Sequence, residues 1–347
     1  MSGDLYVGMG FVLLAGIMSG SCVVPMKYAT KWRWESVWMV FNGLALVLIP
    51  LIVAALTTPQ AWTAYREAPK SALIAAVLLG FGWGIGATLC GVGYTMLGVG
   101  LGMTIVLGVS ASVGSALPLA ILYPERLLKA ESLALYLGLA IMIMALILSA
   151  YAGKIRQAAR PNQETTSGAD LKAFGKGDIR VGVIVCVASG LLSSMFNLAL
   201  IFGDGIRNTA LHLGANSAAA VNVLWLPITV SGFVAIFTYC GYLLTKNRSW
   251  GLYFSSGTAS HWFYILIMSG LYIGSIFVYG IGAVRLGQRG AIIGFPSYMA
   301  MMIVTGNVVG LITGEWRLCP PKAYVFGFAG ISGLVASIVV ISLGRQN

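Results

Sequence analysis

Ten apolar runs, each about 20 to 28 residues long, limit the folds open to this chain more than any other feature. They lie at about Leu5–Tyr28, Trp34–Leu56, Ser71–Met96, Leu101–Leu122, Ser132–Tyr151, Val181–Phe202, Ser217–Leu244, Trp262–Val284, Gly290–Thr313 and Ala323–Leu343. At about 1.5 Å of rise per residue each run reaches across a hydrocarbon core about 30 Å thick, and in lipid a lone segment satisfies its own backbone only as a helix. The expected fold is an all-α polytopic membrane protein with ten transmembrane helices. Charged residues make up 9% of the chain and mean hydropathy is +0.89, so no ordinary soluble surface can be built from it.

The charge that remains also excludes functions. A net charge of +11 comes from Lys and Arg in short loops, which fits membrane-surface loops and not nucleic acid. Its distribution favours both termini outside. The first run has no basic n-region and no small-residue cleavage site, and is expected to remain as the first helix. The five cysteines, Cys22, Cys90, Cys186, Cys240 and Cys319, have no metal-like spacing and read as buried small hydrophobes. The segment GFGWGIG at Gly80–Gly86 lacks both a phosphate-binding lysine and a βαβ context. With no paired catalytic acids either, no enzyme activity, metal or cofactor is expected.

Glycine gives the runs their organisation. Gly80 to Gly108 carries ten glycines, which lets helices approach closely or bend, and predicts two membrane helices joined by a tight turn near Leu97 to Gly100. A polar basic linker at 153–178 separates a first five-helix repeat (1–152) from a second (179–347). The halves resemble each other weakly: GVGYTMLGVGLGMTIVLG echoes VYGIGAVRLGQRGAIIG, LYPERL echoes ITGEWRL with Glu125 opposite Glu315, and aligning Gly10 with Gly182 sets Pro25 opposite Asn197. Five helices per unit make the second copy enter the membrane from the other side, giving two inverted five-helix repeats that can expose one cavity alternately.

Polar residues inside apolar spans are costly, so each is a candidate site residue. Asn197 follows Ser193 and Ser194 on one helical face; the group either satisfies itself between helices or lines a solute cavity. Asn42 and Asn222 lie in corresponding helices, and Asn222 with Trp225 on its face could seat a polar solute, amide to hydroxyl and indole to C–H face. Structural glue is the competing reading for each. Trp83, between Gly82 and Gly84, suits a cavity wall or gate, with membrane or core packing as the alternative, and a central cavity bordered by Trp83 and Asn197 is expected. The candidates for a coupled proton are Glu35, His261 and Asp204, with interfacial or paired charge as the alternative for each. No Asp or Glu stands deep inside a span.

Several segments together resemble a known family. Pro25, Lys27 and Lys31 lead into Trp32, Trp34, Glu35 and Trp38; Trp83 to Gly86, the LGMTIVLG run at Leu101 to Gly108, Met195 to Asn197, and Gly310 through Glu315 and Trp316 complete the set. Over nearly its full length the chain is similar to the L-rhamnose-proton symporter family, a branch of the drug/metabolite transporter superfamily with ten helices in two repeats. The resemblance implies proton-coupled uptake of L-rhamnose or a related small sugar by alternating access, with partners limited to that solute, protons and the lipid of a bacterial inner membrane. A monomer or weak homodimer is expected. The competing readings are an exporter of a small metabolite or drug and a non-transporting membrane receptor or assembly factor.

Overall fold

The computed structural model describes residues 2–97, 99–127, 132–159, 179–287, 290–314, 316–317 and 319–343, and no strand occurs among them. Ten helical segments among these residues are long and apolar enough to cross a membrane: Asp4–Met26, Trp34–Thr57, Lys70–Tyr94, Leu101–Leu122, Leu133–Arg156, Ile179–His212, Ala219–Lys246, Ala259–Arg285, Ile292–Ile312 and Pro321–Ser342, the first to tenth spans. Two short helices mark the ends of spans: Ala61–Glu67 precedes the third, and Asp204–His212 follows a break at Gly203 in the sixth. The fifth helix continues to Ala158, into the segment expected as linker, while residues 160–178 lie outside the described residues. Helices end at Leu97 and begin at Val99 where the tight turn was expected; Gly98, like Glu315, lies outside the described residues.

Large apolar side chains on the periphery, among them Leu78, Ile184 and Val325, stay exposed, as a lipid solvent permits. Inside, the glycine-rich third span is the hub. A Cβ on Gly84 would overlap the backbone of Gly232, and one on Gly80 would overlap Ile228 O, so this face packs backbone to backbone on the seventh span. Gly82 and Gly86 open the adjoining face to Met195 and to the backbone of Ser193 on the sixth. Small residues spaced four apart permit this approach, which brings dispersion contacts that lipid tails cannot match.

The contacts repeat in a pattern. The first span packs on the eighth and ninth, as the sixth packs on the third and fourth; the fifth packs on the tenth. Prolines shape three of the spans. A π-helical turn at Leu44–Leu48 precedes Pro50 in the second and widens the ladder where the proline lacks its N–H. Pro118 and Pro227 stand inside the fourth and seventh spans, each freeing the carbonyl four residues earlier, Gly114 and Val223. Both carbonyls find donors from elsewhere in the chain: Asn197 Nδ2 reaches Gly114 O at 2.7 Å, and the Tyr65 hydroxyl reaches Val223 O at 2.7 Å. An unpaired buried carbonyl is thereby avoided, and a helix defect becomes a tether between elements.

Candidate functional site

An aromatic column runs through the centre. The Trp83 ring lies 5.1 Å from Phe196, and Phe196 stacks on Trp225 at 5.3 Å with 12° between planes. Trp225 is wholly buried, yet its Nε1 has no hydrogen-bond partner and faces the bare backbone of Gly280, where a Cβ would come within 2.8 Å. One helical turn along the seventh span, Asn222 repeats the pattern with opposite polarity. Its Nδ2 donates to Thr57 Oγ1 at 3.3 Å, while its Oδ1 is buried without a partner. A buried donor and a buried acceptor are thus left unmade on one face of one helix, each at a desolvation cost of about 1–3 kcal/mol. Beside Asn222 an open surface cavity of about 320 Å³ is lined by Thr57, Asn216, Ala219, Asn222 and Ile281.

Asn197 is engaged differently. Besides its bond to Gly114 O, its Oδ1 accepts from the Tyr279 hydroxyl at 3.0 Å, so one amide joins the fourth, sixth and eighth spans. Tyr279 lies 5.1 Å from the Tyr298 ring, and the Tyr298 hydroxyl donates to Ser19 Oγ at 3.0 Å, extending the polar chain to the ninth and first spans. Trp83 is 8% exposed, wedged between Gly232 and Phe196. The cavity expected between Trp83 and Asn197 is replaced here by solid helix contact, and the open volume lies toward Asn222. Ser194 does not join Asn197, because its hydroxyl donates to Leu191 O of its own helix at 2.6 Å. Asn42 likewise gives its Nδ2 to Trp38 O at 2.8 Å, within its own helix.

The proton candidates separate by environment. Asp204 pairs with Arg207 through both carboxylate oxygens, also accepts from Asn208 Nδ2 at 2.9 Å, and has a 41% exposed side chain. His261 is buried against the Trp32 ring at 5.8 Å, and its Nε2 accepts the backbone N–H of Lys31 at 3.2 Å. That acceptor role requires a neutral ring with its proton on Nδ1. Glu35 is 1% exposed, and its Oε1 accepts from Asn247 Nδ2 and Ser249 Oγ, both at 2.9 Å. Glu35 and His261 lie where the second and eighth spans begin; the cavity lies at the opposite ends, where the second span finishes and the seventh starts.

Phe196, Tyr279, Tyr65 and the Asn247–Ser249 turn were not singled out from sequence as site residues. Two signals were available. Pro118 and Pro227 each announce a freed carbonyl that needs a donor, and Tyr279 stands five full helical turns after His261, on the same face.

Ten spans packed around a buried aromatic and polar column define a polytopic helical membrane protein. The family model described as L-rhamnose-proton symport protein matches residues 1–346, and the chain belongs to that family. It is similar to the L-rhamnose-proton symporter of Escherichia coli O1:K1 / APEC, with 23% identity over 356 residues covering 100% of both chains. It is also similar to that of Yersinia pestis bv. Antiqua (strain Antiqua), with 24% identity over 338 residues covering 95% of this chain and 96% of the relative.

Proposed function

We propose that the chain is a secondary active transporter that takes up L-rhamnose or a close deoxyhexose together with protons across the bacterial inner membrane. The single observation that carries this reading is the family match along residues 1–346, in a chain of ten spans. The buried acceptor Asn222 Oδ1 and, one turn further along the seventh span, the donor Trp225 Nε1 are the groups to which sugar hydroxyls would donate and from which they would accept; Ile281 would meet the C–H side of the ring. Asn197 and Tyr279 hold the helices around that site, with Trp83 and Phe196 behind it. Asn42 and Ser194 sit in the surrounding helices.

Alternating access needs two halves that exchange roles, and the packing supports the units 1–152 and 179–347 joined by the segment 153–178. Exchanging spans one to five with spans six to ten carries the first span's contacts with the eighth and ninth onto the sixth span's contacts with the third and fourth. That correspondence favours inverted repeats and placement in the drug/metabolite transporter superfamily. Side-chain contacts tie the two halves together at both ends in this structure. At the cavity end, Thr58 Oγ1 donates to Ala219 O at 3.2 Å and Tyr65 to Val223 O. At the other, Trp32 is enclosed by Tyr253, His261 and Trp262.

Uptake of labelled L-rhamnose into proteoliposomes tests the reading. Accumulation above equilibrium is expected under an inward proton gradient, and should disappear when the gradient is collapsed. Uptake indifferent to the gradient excludes symport, and absence of competition by any deoxyhexose excludes the sugar.

The Tyr65 latch has its own pH signature. Burial pushes the Tyr65 phenol above its usual 10.0, and only the neutral form can donate to Val223 O. The folded value therefore exceeds the unfolded one, so the stabilisation is complete below pH 10 and is lost as pH rises toward the folded value. Tyr65→Phe is expected to lower stability by about 1 kcal/mol at neutral pH. The difference in Tm between wild type and variant should narrow above pH 10; a difference that stays constant there rejects the latch.

A further inference from the structure

Glu35 is the one fully buried acid among the described residues, and its hydrogen bonds come from neutral groups alone. Both donors sit on Oε1, leaving Oε2 without a hydrogen bond. Of the charged neighbours, Arg33 Nη1 donates to Asn247 O at 3.4 Å, Lys31 Nζ donates to Ser256 O at 3.1 Å, Lys246 lies over the Tyr242 ring, and Arg248 is exposed. From the seventh span Tyr239 and Cys240 face this region; from the 250–254 turn Tyr253 donates to Ser36 O at 3.2 Å; from the eighth span His261 accepts from Lys31. The polar atoms Trp32 Nε1, Ser36 Oγ and Tyr239 Oη are buried there without partners. A second observation is independent of burial. Arg248, between the two donors, has φ +51°, the only positive value at a non-glycine among the described residues. Such a conformation costs of order 1–3 kcal/mol and persists only where its surroundings enforce it.

We propose that Glu35 takes up the transported proton, and that the strained turn Asn247–Ser249 responds to its protonation state. The inference rests on the symport reading. An ionised Glu35 makes two charge-assisted bonds that hold the turn before the eighth span against the start of the second, tying the two halves together at this end. A proton from water adds to Oε2, cancels the charge and reduces those bonds to neutral strength, roughly half. The turn is then free to relax, and this end opens. The proton leaves Oε2 toward the space between the two halves and passes to water on the opposite side of the membrane, and the turn closes again on the regenerated carboxylate.

The test uses full-length protein in proteoliposomes. Glu35→Gln should lose both rhamnose-evoked proton uptake and uphill accumulation, while rhamnose exchange at equal concentrations persists. The double variant Asn247→Ala, Ser249→Ala keeps the carboxylate but removes two donors that favour its charged form. Proton-coupled uptake should then have its pH midpoint at a higher pH than in wild type. Proton uptake by Glu35→Gln equal to wild type overturns the assignment, as does an unchanged midpoint in the double variant. If Glu35→Gln does not fold, the double variant decides. A wild type that moves no protons with rhamnose refutes the symport reading itself, a result distinct from either variant's.

Discussion

Trp225→Phe is expected to weaken L-rhamnose uptake without weakening the fold. The phenyl ring retains the stack on Phe196 and removes an Nε1–H that has no partner in this structure. If that donor is held for a sugar hydroxyl, its loss should raise KM by about 1 kcal/mol, roughly fivefold. Stability should stay level or rise, because an unmade buried donor carries a desolvation penalty that the substitution removes. Asn222→Ala should raise KM in the same way through the acceptor side. Uptake kinetics and thermal melting of the purified variant decide the matter. A Tm that falls by several degrees with KM unchanged assigns Trp225 to packing alone and sinks the donor role.

Gly84→Val should abolish the folded transporter. A Cβ at that position overlaps the backbone of Gly232, which has no side chain to swing aside, so the third and seventh spans must separate. Overpacking typically costs about 1–3 kcal/mol, and rigid backbone on both sides places this site at or above the upper end. Separation also disturbs Trp83, which packs on Gly232, and through it Phe196 and Trp225. Gly10→Ala is the matched control: nothing lies within 4 Å of the added Cβ, and a gain of about 0.8–1 kcal/mol in helix propensity is expected. Size-exclusion profiles of the two variants should differ sharply. A monodisperse, thermally normal Gly84→Val protein would show that the seam is not needed.

Glycine shows how far local sequence carried the argument. The run from Gly80 onward marked a region of close approach, and Gly80 and Gly84 do meet the seventh span while Gly82 and Gly86 meet the sixth. Which helix each face meets is not written in the run, because spacing fixes a face and not its neighbour. Asn197 makes the same point from the other direction. A mid-span asparagine is equally suited to a solute or to a helix defect; the defect that claims it, the Gly114 carbonyl freed by Pro118, lies 83 residues away. Glu35 reads in sequence as an acid at a helix mouth behind two basic residues. Its burial arises because Asn247 and Ser249, more than 200 positions later, fold over it.

The sequence by itself determined the ten spans, which follow from side-chain hydropathy within windows of about 20 residues and from the need of every backbone in lipid to bond within its own helix, and its motif segments carried the family resemblance. Only the tertiary structure decided which polar groups are spent and which are spare. Asn197 and Asp204 are engaged with partners, Trp225 and Asn222 retain an unmade bond each, and Glu35 is sealed among neutral donors. The physical reason is that a hydrogen bond inside a membrane protein is settled by which helices pack together, and that packing joins residues far apart in the chain.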